Sequence, residues 1–270
     1  MYAFLIWLSS ELRDRMGKAI RRVVLLILIA VFVYSGYRIA LYLYDGYASS
    51  NLNDRMKQQY EAAQNVQEET NRAEQGQSTE EPGKTSYQER FDPLLAINPD
   101  IVGWLRIDNT NIDYPVVQSG DNQYYLTHNV EKQRSQRGAI FMDYRYTDAN
   151  DNAQLVIYGH HMKDGSMFGE LAKYKDAAYY QEHDRITFEG LKEPASYQIF
   201  AVYIYSPESR FFEYDFADAQ QYQAYLDTIK GQSLYDTGVE ATSDDQLLTL
   251  VTCTYEVADA RLIIHAKRVQ

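Results

Sequence analysis

Leu248-Thr249-Leu250-Val251-Thr252-Cys253 is a short run of branched and apolar residues that reads as a strand and ends on the single cysteine of the chain. Arg261 follows eight positions later and opens a second strand-like run, Leu262-Ile263-Ile264-His265-Ala266-Lys267-Arg268. A third run, Gln154–Tyr158, ends at Gly159 and delivers His160 and His161. A thiol, a guanidinium and an imidazole at three strand ends form the layout of an activated-thiol enzyme. The thiolate is the attacking form, so it needs a base or a cation nearby. Arginine keeps its charge at any working pH and can hold a developing oxyanion. Each residue alone has a plainer reading: a buried inert thiol, a capping or solvent-facing histidine, a surface ion pair between Arg261 and Asp259 or Glu256. Successive side chains of a strand alternate in direction, so only one of His160 and His161 can serve the thiol.

Working outward, further strand-like runs fall at Val102–Ile107, Tyr114–Val117, Gly138–Asp143, Arg185–Phe188 and Tyr197–Tyr205. That many short strands between turn signals predicts a mainly β barrel or sandwich. Helical patterns fall at Phe91–Ile97, Ser166–Tyr174 and Ala217–Lys230. The last lies in the long connection from Ser206 to Gln246, which is placed to wall a cleft beside Cys253.

Composition narrows the function. With 45% hydrophobic residues the 270-residue chain can bury a sizeable core, and its 25 tyrosines suit half-buried positions whose hydroxyls reach water. A net charge of −12 argues against a nucleic-acid partner. One Cys and no His-x-x-x-His pair leave no zinc pattern and no internal disulfide. The acidic stretch Asp148–Asp151 reads as a solvated loop rather than a cation site.

The N-terminus carries a membrane signal. Five cations (Arg13, Arg15, Lys18, Arg21, Arg22) form a basic segment, residues 1–22, before an apolar run over 23–44, interrupted at Arg38. About 20 apolar residues span a bilayer, and the basic flank places the N-terminus in the cytoplasm. The length of the run and the lack of a small-x-small cleavage site favour an uncleaved anchor over a signal peptide. Residues 45–86 read as a polar helical stalk and a linker, the linker being Gly76–Ser86, and residues 87–270 as the catalytic domain.

Taken together, these motifs resemble a class B sortase. The resemblance rests on Tyr158-Gly159-His160-His161-Met162, Asp164-Gly165-Ser166-Met167-Phe168, Thr249-Leu250-Val251-Thr252-Cys253 and Asp259-Ala260-Arg261-Leu262. Asn98–Leu105, Ile112–Gln118, Asp121–Leu126 and Gly138–Tyr144 extend it, so that it covers about Phe91 to Lys267. It implies an eight-stranded sortase-type β-barrel with N-terminal helices and a helix before the Cys strand. It points to His160 over His161 and puts the catalytic roles on His160, Cys253 and Arg261. It implies that Asn122, Leu126 and Thr252 line the groove for the sorting signal. Class B enzymes often carry serine two residues before the cysteine; Val251 stands there instead, which bears on substrate preference.

The activity implied is that of a cysteine transpeptidase. It cleaves a C-terminal sorting motif of secreted proteins through a thioacyl intermediate and joins them to a peptidoglycan amine on a lipid-linked precursor at the outer membrane face. The chemistry calls for no metal and no cofactor. The rival readings are a class B-like pilin polymerase, a membrane-anchored cysteine hydrolase, and a binding module with an inert thiol.

Overall fold

The computed structural model describes residues 2–74, 88–146, 154–205, 216–253 and 261–269. The linker Gly76–Ser86, the stretch Asp148–Asp151 and the thiol of Cys253 lie outside the described residues. All eight expected strands form: β1 (Ile101–Arg106), β2 (Asp113–Val117), β3 (Ile140–Met142), β4 (Gln154–Gly159), β5 (Arg185–Gly190), β6 (Pro194–Tyr205), β7 (Leu247–Cys253) and β8 (Arg261–Arg268). They close into a barrel in the order β1-β2-β3-β4-β7-β8-β6-β5. The β2–β3 and β4–β7 pairs are parallel and the other pairs antiparallel. Closure removes the exposed sheet edges that would otherwise template aggregation.

Side-chain alternation sorts the strands into two faces. Leu105, Val116, Ile157, Ile199, Leu250 and Ile264 point inward and fill the barrel. Outside, two patches are covered by helices. In chain order the helices are α1 (Tyr2–Glu74), α2 (Asp92–Ile97), α3 (Ala177–Glu182) and α4 (Ala219–Gln232). The side chain of Asp218 caps α4 by accepting from Gln221 N at 2.8 Å, satisfying one of the orphan donors of a helix start. Tyr222, Leu226 and Ile229 then bury one face of α4 against Phe200, Tyr203, Leu247 and Ile263. The helix before the Cys strand is thus where the helical pattern put it, and it packs on the strands that lead to Cys253.

The chain divides into two compact units, residues 1–48 and 49–270. The part of α1 over Ile20–Val66 contains an unburied stretch that is long and apolar enough to cross a membrane. Arg38 in this stretch donates to the Tyr34 hydroxyl, one turn earlier, at 3.1 Å.

The second unit begins well before the domain boundary that composition suggested at residue 87. Leu52, Met56 and Tyr60, spaced by four, are buried with Phe91, Leu94 and Trp104. Tyr60 stacks on Trp104 with ring centroids 4.5 Å apart, and its hydroxyl donates to the buried Glu189 carboxylate at 2.6 Å. Lys57 pairs with Asp113 at 2.5 Å. The segment read as a polar stalk is therefore, over residues 49–66, a packed helix of the barrel unit.

Candidate active site

Strand register brings the three chemical residues together. In the parallel β4–β7 pair Gly159 lies opposite Thr252, so His160 and Cys253 are the next residues at the same end. In the antiparallel β7–β8 pair Cys253 lies opposite Arg261. Neighbouring strands are about 4.8 Å apart, so the backbones of all three residues fall within two strand spacings. Arg261 is half-buried and also pairs with Tyr205 of β6.

His160 is held by its ring. Its Nε2 lies 2.8 Å from the Leu126 carbonyl oxygen, which can only accept, so Nε2 carries the proton. The bond to Leu126 engages Nε2 and not Nδ1. His161 instead forms a backbone bridge with Met167. The ring of His160 is thus fixed on the turn over Tyr124–Leu126.

Several contacts hold the Leu126 turn, a short 3-10 helix over Tyr124–Leu126. Asp121 Oδ1 accepts from the backbone of Gln123 and Tyr124, each at 2.8 Å. The Tyr124 N–H first, and then that of Gln123, holds the Asp121 carboxyl below the usual range. The Tyr125 hydroxyl donates to Asp100 at 2.7 Å and accepts from Asn98 at 2.9 Å. Gly138 has φ +60°, and a Cβ there would stand 2.4 Å from the Tyr125 carbonyl oxygen, so only glycine permits this close approach.

The sequence-derived groove residues take different places. Asn122 is half-buried; its amide donates to Asp143 at 2.9 Å and its oxygen accepts from Tyr144 N at 3.0 Å. Leu126 exposes 37% of its surface beside the turn that holds His160. Thr252 is 1% exposed, and its hydroxyl has no hydrogen-bond partner among the described residues.

Charged residues to which the sequence reading assigned no individual role make further contacts around these loops. Asp143 is fully buried and accepts from Arg145 Nε at 2.9 Å, Arg145 Nη2 at 2.7 Å and the Tyr158 hydroxyl at 2.8 Å. Burial alone would raise its carboxyl; the Arg145 guanidinium and the other donors outweigh this and hold it at about 2. Arg137, 3% exposed, pairs with Asp164 at 2.5 Å and also donates to Ser166 Oγ. Single-sequence patterns carry no sign of such partners, because they are 27 and 29 residues apart along the chain. Among the described residues no group of His, Cys, Asp and Glu is arranged to hold a metal ion.

A closed eight-stranded barrel with these three strand ends at one rim has the build of a sortase catalytic domain, and residues 105–269 match the sortase domain family. The chain belongs to the sortase family. It is 33% identical to sortase B of Listeria monocytogenes over 261 residues, covering 96% of this chain and 99% of that protein. Its structure superposes on sortase B of Bacillus anthracis with a TM-score of 0.69 at 35% identity, covering 84% of this chain and 99% of that one. It superposes on a Staphylococcus aureus sortase B–substrate complex with a TM-score of 0.73 at 28% identity, covering 84% and 98%. Within the family it is a class B enzyme, a sortase transpeptidase.

Proposed function

We propose that the chain is a membrane-anchored transpeptidase that cuts a C-terminal sorting motif and passes the acyl group to a peptidoglycan amine. The observation that carries this is the register that sets Cys253 opposite Arg261 and level with His160. In the first half-reaction the Cys253 thiol passes its proton to His160 Nδ1, the thiolate attacks the scissile carbonyl, and Arg261 stabilises the oxyanion. The C–N bond then breaks, and His160 Nδ1 gives its proton to the leaving amine. In the second half-reaction an acceptor amine attacks the thioester, its proton returns to His160, and the thiolate leaves as the new amide forms.

The ring bond to Leu126 supports this assignment, because it occupies Nε2 and leaves Nδ1 as the nitrogen for proton transfer. Asn122, Leu126 and Thr252 are the groove residues for the sorting signal in this reading; Leu126 is exposed beside the His160 turn, whereas Thr252 is buried and contributes to the rim from beneath its surface. The apolar stretch of α1 anchors the enzyme, with the basic segment inside the cell and the catalytic unit outside.

The test is a panel of fluorogenic sorting peptides with and without amine acceptors, using wild type, Cys253→Ala and Arg261→Ala. Cleavage that needs both residues and yields an amine-linked product by mass spectrometry is the expected result. Cleavage giving only the hydrolysed acid would contradict the transpeptidase reading.

A further inference from the structure

The loop that follows His160 is strongly constrained. Met167 holds φ +53°, a left-handed conformation uncommon for a residue with a side chain, and it is 5% exposed. Such strain persists only where the surroundings over-determine it. Phe168 N donates back to the His160 carbonyl at 3.0 Å, and Met167 N donates to the Tyr114 hydroxyl at 3.0 Å. A Cβ at Gly169 would stand 2.2 Å from the Met162 carbonyl oxygen. The loop is therefore a tight ring closed on His160 itself.

The turn that accepts from His160 is closed just as tightly. Ser135 N donates to the Thr127 carbonyl at 3.0 Å, and Ala139 N to the Tyr125 carbonyl at 2.9 Å. Residues 135–139 therefore form the base of the Leu126 turn. Arg137 sits in this base, with its guanidinium crossing to the His160 loop. One arm, Nη2, reaches the Asp164 carboxylate at 2.5 Å, and the other, Nη1, reaches Ser166 Oγ. Asp164 in turn accepts from Ser166 N at 3.1 Å and Ser166 Oγ at 2.7 Å, so the two acceptors are held for the planar fork of the guanidinium.

We propose that the Arg137–Asp164 pair is a latch that holds the His160 loop against the Leu126 turn, making both residues positioning residues of the active site. The inference rests on His160 being the proton carrier proposed above. The bond from Nε2 to Leu126 joins the same two loops. It is a single hydrogen bond on a half-buried ring, whereas the latch is a charged, two-armed contact with one partner buried. Freeing the latch lets the two loops drift apart, and the bond that sets the ring and its tautomer goes with it. Arg137 is suited to this as lysine is not, since a point charge cannot reach both acceptors in fixed geometry.

Asp164→Asn is the chosen variant. It keeps the oxygen that accepts from Ser166 N and replaces the oxygen facing Arg137 with an amide nitrogen, so both the charge and the acceptor for Arg137 are lost. The full-length chain in detergent, labelled with 15N-histidine, gives few ring signals because it holds five histidines. The His160 signal is assigned by its loss in His160→Gln. The wild type is expected to show a protected Nε2–H signal for His160, and Asp164→Asn to lose it to solvent exchange. With sorting peptides, Asp164→Asn is expected to lower kcat about tenfold with KM within about twofold, as a misplaced catalytic group does. Arg137→Lys should fall between the two. A retained Nε2–H signal in Asp164→Asn, or its absence from the wild type, overturns the latch whatever the activity does. A variant that is less heat-stable but has unchanged kcat and ring signal shows a purely structural pair and also overturns it. If the wild type cuts no peptide, the catalytic reading fails, and the ring signal still decides the latch.

Discussion

Gly138→Ala tests how tightly the His160 support is built. At φ +60° an L-residue is strained by about 1–2 kcal/mol. The new Cβ would stand 2.4 Å from the Tyr125 carbonyl oxygen and 2.9 Å from that of Leu126, against an ordinary contact of 3.4–4 Å. Both neighbours are backbone, so no side chain can rotate away, and the turn must move by about 1 Å. Such overpacking costs about 1–3 kcal/mol. The sum is about 2–5 kcal/mol. For a unit of this size that lowers Tm by about 5–15 °C. The moved atoms include the carbonyl that accepts from His160 Nε2 at 2.8 Å, so a 1 Å displacement should also cost about 10²-fold in kcat. Differential scanning calorimetry and peptide cleavage, both on the full chain, read the two effects. A variant with wild-type Tm and wild-type kcat would refute the steric argument.

Three further outcomes follow from the packing and the buried charges. A chain starting at residue 67 loses Leu52, Met56 and Tyr60 from their pocket, each worth about 1.5–3 kcal/mol, and should melt at least ~10 °C below a chain starting at residue 49; equal melting temperatures would show that the helix adds nothing to the barrel. Tyr60→Phe keeps the stack on Trp104 but strips the 2.6 Å donor from buried Glu189, costing about 1–3 kcal/mol in urea unfolding. His265 is fully buried between Tyr203 and Thr249, and burial pushes its imidazole down to about 3. The unfolded chain binds that proton near pH 6.5, so stability from this group is full above 6.5. It should fall by about 1.4 kcal/mol per pH unit as the pH drops toward 3. His265→Gln should remove that slope between pH 6.5 and 4.5, and an unchanged slope would assign it elsewhere.

The barrel was legible because each strand carries its own signal. β4, β7 and β8 are runs of Val, Ile, Leu and Thr, and their ends alone located the candidate site. What escaped reading depends on contacts between distant segments. Asp143 and Arg137 look like ordinary surface charges in the sequence, yet the fold buries both among donors or acceptors from other loops. The 3-10 turn over Tyr124–Leu126 has no periodicity to announce it, and its role comes from one backbone carbonyl. The packed face of α1 was hidden for a different reason. Leu52, Met56 and Tyr60 recur every fourth residue, a sparse stripe in a segment whose average is polar. Position-by-position spacing would have shown it where composition did not.

The central claim, that Cys253 is the nucleophile served by His160 and Arg261, is tested most directly by trapping its acyl adduct. The full chain is mixed with a cleavable sorting peptide, quenched in acid and digested for mass spectrometry. The account predicts the N-terminal peptide fragment in thioester linkage to Cys253, absent in Cys253→Ala, scarce in Arg261→Ala and discharged by added amine. Cleavage of the peptide with no adduct at Cys253, or undiminished cleavage by Cys253→Ala, would contradict it.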